Sequence, residues 1–144
     1  MDPKEKRELM MKHYREPVHK GLVEDQRYMF QYENNESCID EVKLMALIQN
    51  GKIEDIRFDG EACAVCTAST SMMIETLLGK TVEEADEISE SFKNMIEGKP
   101  YQEQCLEQLV ALEDMGRQPS RKKCALLAWW GMDEILRKGR NENE

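Results

Sequence analysis

Long apolar runs are missing from this chain. No stretch approaches the roughly 18 consecutive apolar residues that a bilayer span needs, and the opening Met-Asp-Pro-Lys-Glu-Lys-Arg lacks the apolar core of an export signal. Both absences lead us to expect a cytoplasmic protein with no membrane partner. Basic charge is also short: 20 Lys and Arg stand against 29 Asp and Glu, a net charge of −9. Phosphate binding needs clustered cations, so no nucleic acid partner is expected. Arg117, Arg121, Lys122 and Lys123 do cluster, as suits a solvated helix start. Histidine is scarce, with two residues. Neither His13 nor His19 has a second ligand type at a short spacing, and both are expected to be structural or exposed. Internal repeats and low-complexity segments are absent.

What is present is enough for one domain, 1–144, with 40% apolar residues and 34% charged ones. Ten methionines supply soft core filling. The five cysteines, Cys38, Cys63, Cys66, Cys105 and Cys124, are an odd set without an export signal, which argues against a disulfide framework. They leave metal binding or thiol chemistry, with small buried hydrophobes as the plainer alternative.

Asp2-Pro3 opens a helix that should stop before Pro17, and residues 1–20 are read as an N-terminal helix and loop. From Gln26 the period changes to two. Tyr28, Phe30 and Tyr32 alternate with Arg27, Met29 and Gln31, as in a strand with one half-buried face. Residues 40–49 carry Val42, Leu44, Ala46 and Ile48 on one face, Asn50-Gly51 is the preferred pair for a tight hairpin turn, and Ile53 to Phe58 returns. Residues 26–60 therefore form a three-stranded antiparallel sheet. Residues 63–138 are helical, with breaks at Gly79, Gly98 and Gly116, a capping box at Thr81-Val-Glu-Glu84, and an amphipathic helix over 103–115. Ser120 is expected to cap a last helix running to about Arg137, and 139–144 to be a frayed tail. Strands first and helices afterwards predict an α+β domain with the helices packed on one face of the sheet.

The hairpin brings its open ends together, so Cys38 and Cys63 should be neighbours, with Asp40 on the same face as Cys38. A Ser120 cap would put Cys124 in the first turn of its helix, and Cys63 or Cys66 lies at another helix start. Thiolates are favoured at such positions. A zinc site wants four ligands in a tetrahedron, and Cys38, Asp40, Cys63 and Cys124, from three elements, would complete one, although no short Cys-x-x-Cys pairs recur as in a zinc ribbon. A carboxylate among thiolates is easier to displace than a fourth thiolate, which suits chemistry better than scaffolding. Cys63-Ala-Val-Cys66 is also a dithiol redox motif, but that motif is expected after a strand of a βαβ unit, and the pattern here is an antiparallel meander.

These residues resemble the iron–sulfur cluster assembly proteins of the IscU/SufU type, which also form the N-terminal module of NifU. His13-Tyr14 with Pro17 and Gly21 is similar to the first family motif. Cys38-Ile39-Asp40 matches Cys-Gly-Asp at two of three positions. Phe58-Asp-Gly-Glu-Ala-Cys63-Ala-Val-Cys66-Thr-Ala-Ser69-Thr-Ser71-Met-Met resembles the longest motif, and Arg121-Lys-Lys-Cys124-Ala-Leu-Leu-Ala-Trp129 the third. Lys123 stands where the scaffold branch has His, Arg121 lies three residues ahead of Cys124, and an extra stretch, about residues 99–118, precedes it. All three look like the zinc-binding SufU branch.

The resemblance implies a SufE/NifU-like fold and a zinc-bearing carrier rather than a stand-alone enzyme. It would accept persulfide sulfur from a pyridoxal-phosphate cysteine desulfurase and serve downstream apo iron–sulfur proteins. Carried over, Cys38, Asp40, Cys63 and Cys124 are the zinc ligands, Cys124 is the sulfur acceptor, and Arg121 docks the partner or stabilises the thiolate. The alternative is a scaffold that builds a [2Fe-2S] cluster on Cys38, Cys63 and Cys124. Three departures stand out: Ile39 and Ala62 replace family glycines, and Cys66 replaces a usual Ser. Cys66 is either an isosteric exchange or an added cluster or persulfide ligand. Cys105 is expected to be structural.

Overall fold

The computed structural model describes residues 1–36 and 39–142, the side chains of 141 and 142 excepted, so Cys38 lies outside the described residues. The elements are helix α1 (Pro3–Arg15), strands β1 (Met29–Asn34), β2 (Glu41–Gln49) and β3 (Lys52–Asp59), and helices α2 (Ala64–Leu77), α3 (Val82–Glu97) and α4 (Pro119–Glu142). The three strands form an antiparallel sheet in the order β1-β2-β3. Asn50 and Gly51, both at positive φ, make the β2–β3 turn.

One sheet face is the core. Val42, Leu44 and Ala46 from β2, with Ile53, Ile56 and Phe58 from β3, are buried against α2 and α4. The sequence periodicity over 40–49 holds as far as Ala46, and a bulge between Leu47 and Ile48 then shifts the pattern. In β1 the half-buried residues are Met29, Gln31 and Glu33, while Phe30 and Tyr32 point outward. Two glycines of α4 explain the choice. A Cβ at Gly131 would press on Leu44 and the Glu33 stem and touch that of Gln31, and one at Gly139 would press on Ile48 and Met29, so α4 lies close enough to cover the three β1 side chains. The outward Tyr32 hydroxyl donates to Glu41 at 3.1 Å.

α3 has the expected capping box at Thr81 and Glu84 and ends at a left-handed Gly98. Its Phe92 stacks on Trp129 of α4, centroids 4.3 Å apart. Two expectations fail in the helical half. Residues 103–115 are not an amphipathic α-helix: Glu103–Cys105 and Glu107–Arg117 are 3-10 turns separated at Leu106, with Glu107 at φ +52°. Leu106, Leu109 and Leu112 are fully buried, and their spacing of three fits the three-residue turn of a 3-10 helix. The last helix also runs further than expected, since α4 continues to Glu142, with Gly139 set against Ile48 and Met29.

Candidate metal centre

The strand ends build one half of the site. Pairing of β2 with β3 carries Asp40, just before β2, alongside the loop that follows β3, where the Glu41 N–H donates to the Glu61 carbonyl at 2.7 Å. This approach depends on Gly60, which sits at φ +126°, and any Cβ there would lie 2.4 Å from the Glu41 carbonyl oxygen. With the strands so close, the buried Asp40 carboxylate accepts the Cys63 N–H at 2.6 Å and faces the Cys63 Sγ at 3.5 Å. Cys63 in turn caps α2, its Sγ accepting the Cys66 N–H at 3.4 Å.

α4 supplies the other half. The helix begins at Pro119, not after a Ser120 cap, so Cys124 lies in the second turn, and its thiol donates to the Ser120 carbonyl at 3.3 Å. The helix-start argument therefore does not apply to this cysteine. Its placement rests on packing instead: the Ser69 hydroxyl of α2 donates to the Ala125 carbonyl at 2.7 Å and accepts the Trp129 indole N–H at 3.1 Å. These bonds join the helix that follows Cys63 to the residue after Cys124. The result is one cluster in which an Asp40 oxygen and the sulfurs of Cys63 and Cys124 all lie within 4.8 Å of one another.

Asp40 is 1% exposed and Cys124 6%, while Cys63 is partly exposed. Burial pushes the Cys124 thiol well above its ordinary range, and its hydrogen bonds to Asp40 and Cys63 add to the effect. A divalent cation reverses this balance, because a coordinating thiol gives up its proton to the metal charge. Two sulfurs and a carboxylate at this spacing fit zinc, which takes Cys and Asp ligands in a tetrahedron.

Arg121 is exposed on α4, three residues before Cys124, and Lys123 lines an open cleft of 590 Å³ with Asn34, Leu127 and Trp130. Cys66 is fully buried and is not a member of the three-residue cluster. Cys105 lies elsewhere, beside an 860 Å³ cleft rich in Asp and Glu between α3 and the 3-10 turns. Neither histidine joins a metal cluster among the described residues. His13 is buried, its Nδ1 2.7 Å from the Ser71 hydroxyl, which also accepts the Val18 N–H at 2.9 Å. His19 Nδ1 is 2.9 Å from Asp55 and 3.1 Å from the Ile56 carbonyl, and it pins residues 19–21 along β3. Sequence reasoning missed Gly60 and Ser69 as positioning residues. Gly60 carried a signal, a glycine between a strand and a thiol; Ser69 showed only as one of a run of small residues.

A sequence model of the NifU-like N terminal domain matches residues 5–135. The zinc-dependent sulfurtransferase SufU of Bacillus subtilis (strain 168) is 33% identical over 138 residues, covering 95% of this chain and 92% of that protein. The iron-sulfur cluster assembly scaffold protein IscU of Thermotoga maritima is 35% identical over 104 residues, covering 72% of this chain and 73% of that one. Among solved structures, FiSufU of the thermophile Fervidobacterium islandicum AW-1 is described as a candidate iron–sulfur cluster assembly scaffold for the SUF system. It superposes with a TM-score of 0.85 at 36% identity, covering 90% of this chain and 94% of that one. No described helix is long and apolar enough to cross a membrane.

Proposed function

The chain belongs to the NifU-like N terminal domain family of iron–sulfur cluster assembly proteins, and on that premise we propose that it is a zinc-dependent sulfur carrier. It takes persulfide sulfur from a pyridoxal-phosphate cysteine desulfurase onto Cys124 and passes it toward apo iron–sulfur proteins. It does so as a single domain and not as a stand-alone enzyme. The observation that carries the reading is the convergence of Asp40, Cys63 and Cys124 within 4.8 Å.

Those three residues would hold the zinc, with Cys38 proposed as the fourth ligand. When bound, zinc keeps its sulfur ligands deprotonated, and therefore nucleophilic once freed. The protein groups do the rest. The Cys63 N–H fixes Asp40 in place, and the short carboxylate is the ligand most readily exchanged. The Ser69 bonds hold Cys124 opposite it. Cys124 attacks the outer sulfur of the donor's persulfide, the donor's S–S bond breaks, and the donor cysteine leaves as its thiolate. Arg121, exposed on the same helix, offers a guanidinium for docking or for balancing thiolate charge. Free thiols at the site suit a reducing compartment, so the cytoplasm is the proposed location.

One feature disfavours the scaffold reading: Lys123 stands before Cys124 where the scaffold branch has His. The test is stimulation of a cysteine desulfurase. The full chain should raise alanine release from cysteine, and Cys124→Ser should abolish that rise. Undiminished stimulation by Cys124→Ser contradicts the acceptor assignment.

A further inference from the structure

Cys66 has no part in the mechanism above, and its position gives it one. It sits in the first turn of α2, with its N–H on the sulfur of Cys63, the capping residue. Residues three apart at a helix start have Cα atoms about 5 Å apart, inside the range that a disulfide spans. The motif directly follows β3 and opens a helix. The sheet before it is an antiparallel meander and not a βαβ unit, so the case for a dithiol rests on the local placement of the two sulfurs and not on the fold. The two thiols are also unequal. Cys63 is partly exposed and Cys66 is 0% exposed, so a reagent from solvent reaches Cys63, and Cys66 meets what Cys63 carries.

We propose that Cys63 and Cys66 are a redox-active dithiol that releases the sulfur held at this site as sulfide. The proposal rests on the acceptor reading of Cys124, since that residue supplies the oxidant, a sulfane sulfur. Cys63 attacks the outer sulfur of the Cys124 persulfide across less than 4.8 Å. The Cys124 S–S bond breaks, and Cys124 returns as a thiol. Cys66 then attacks the inner sulfur of the new Cys63 persulfide. A Cys63–Cys66 disulfide forms, and the outer sulfur leaves with the bonding pair and the proton from Cys66. One sulfane sulfur is reduced by two electrons to hydrogen sulfide, and two thiols are oxidised to one disulfide. An external dithiol reductant resets the pair. The disulfide also withdraws Cys63 from the metal ligands, so sulfide release and metal release should coincide.

The test uses the full, zinc-loaded and reduced chain, freed of small thiols under argon and mixed with glutathione persulfide. Sulfide, intact mass, peptide mapping and zinc freed to a colorimetric chelator are followed together. Wild type should release about one sulfide per chain, gain a Cys63–Cys66 disulfide and lose zinc. Cys66→Ser and Cys66→Ala should both keep the added sulfur, with sulfide release at least about tenfold slower and zinc retained. Agreement between the two variants ties the effect to the thiol and not to packing. A wild type that takes up sulfur and keeps it as long as the variants do overturns the dithiol and leaves the acceptor reading intact. If no chain takes up sulfur, the acceptor reading falls and the dithiol proposal falls with it.

Discussion

The Asp40 carboxylate accepts the backbone N–H of Cys63 at 2.6 Å, across 23 positions of sequence. This bond closes the open end of the β2–β3 hairpin and sets the two proposed ligands Asp40 and Cys63 against each other. Gly60 makes it possible. Gly60→Ala places a Cβ on the Glu41 carbonyl at a positive φ, and the expected cost is about 2–4 kcal/mol of stability. Denaturant unfolding checks the cost, and zinc affinity should fall with it. An unchanged midpoint would mean that the strands tolerate separation.

Ser69 ties the two halves of the site together. Ser69→Ala leaves the Trp129 N–H and the Ala125 carbonyl without their buried partner. A loss of about 1–3 kcal/mol follows, again read by denaturant unfolding. Weaker zinc binding is expected as well, because the helix bearing Cys124 loses its anchor to the helix that Cys63 caps.

His13 makes stability depend on pH. Burial lowers its pKa below the ordinary value, with the Glu75 carboxylate opposing in part. The folded state therefore holds the neutral ring, and the unfolded chain binds the proton more readily. The His13 contribution is fully present above the unfolded value of about 6.5 and is lost as pH falls below it. Thermal unfolding should show a decline in melting temperature from about pH 7 to pH 5. His13→Gln should be less stable at neutral pH and should flatten that slope. A slope identical in the two proteins would assign it to other groups.

Much of this arrangement was legible in the sequence, for reasons that can be named. Asn50-Gly51 fixed the hairpin, and the hairpin dictated that residues near 40 and 63 meet, as Asp40 and Cys63 do. Thr81 and Glu84 announced their helix, and the α+β architecture followed from the change of period after residue 60. What was not legible depended on contacts distant in sequence. Which face of β1 is half-buried was decided by Gly131 and Gly139 on α4, about 100 positions away. The 3-10 turns at 103–117 hid behind a pattern that also suits an α-helix, since Leu106, Leu109 and Leu112 serve either period. Pro119 starts α4 earlier than Ser120 suggested, so Cys124 is reached through packing and not through a helix end. Cys38, expected beside Cys63, lies outside the described residues.

Zinc should also stabilise the fold, because its proposed ligands come from elements far apart in sequence and converge only in the native state. Removing it with a chelator is expected to lower the melting temperature, and zinc alone should restore it. Iron restoring the melting temperature where zinc does not would point to cluster assembly.

Metal analysis of protein prepared without oxygen tests the central claim most directly. We expect about one zinc per chain, no acid-labile sulfide, and loss of the zinc in Asp40→Ala and Cys63→Ser. Iron with stoichiometric acid-labile sulfide and visible charge-transfer absorption would contradict the zinc-dependent carrier and establish the [2Fe-2S] scaffold in its place.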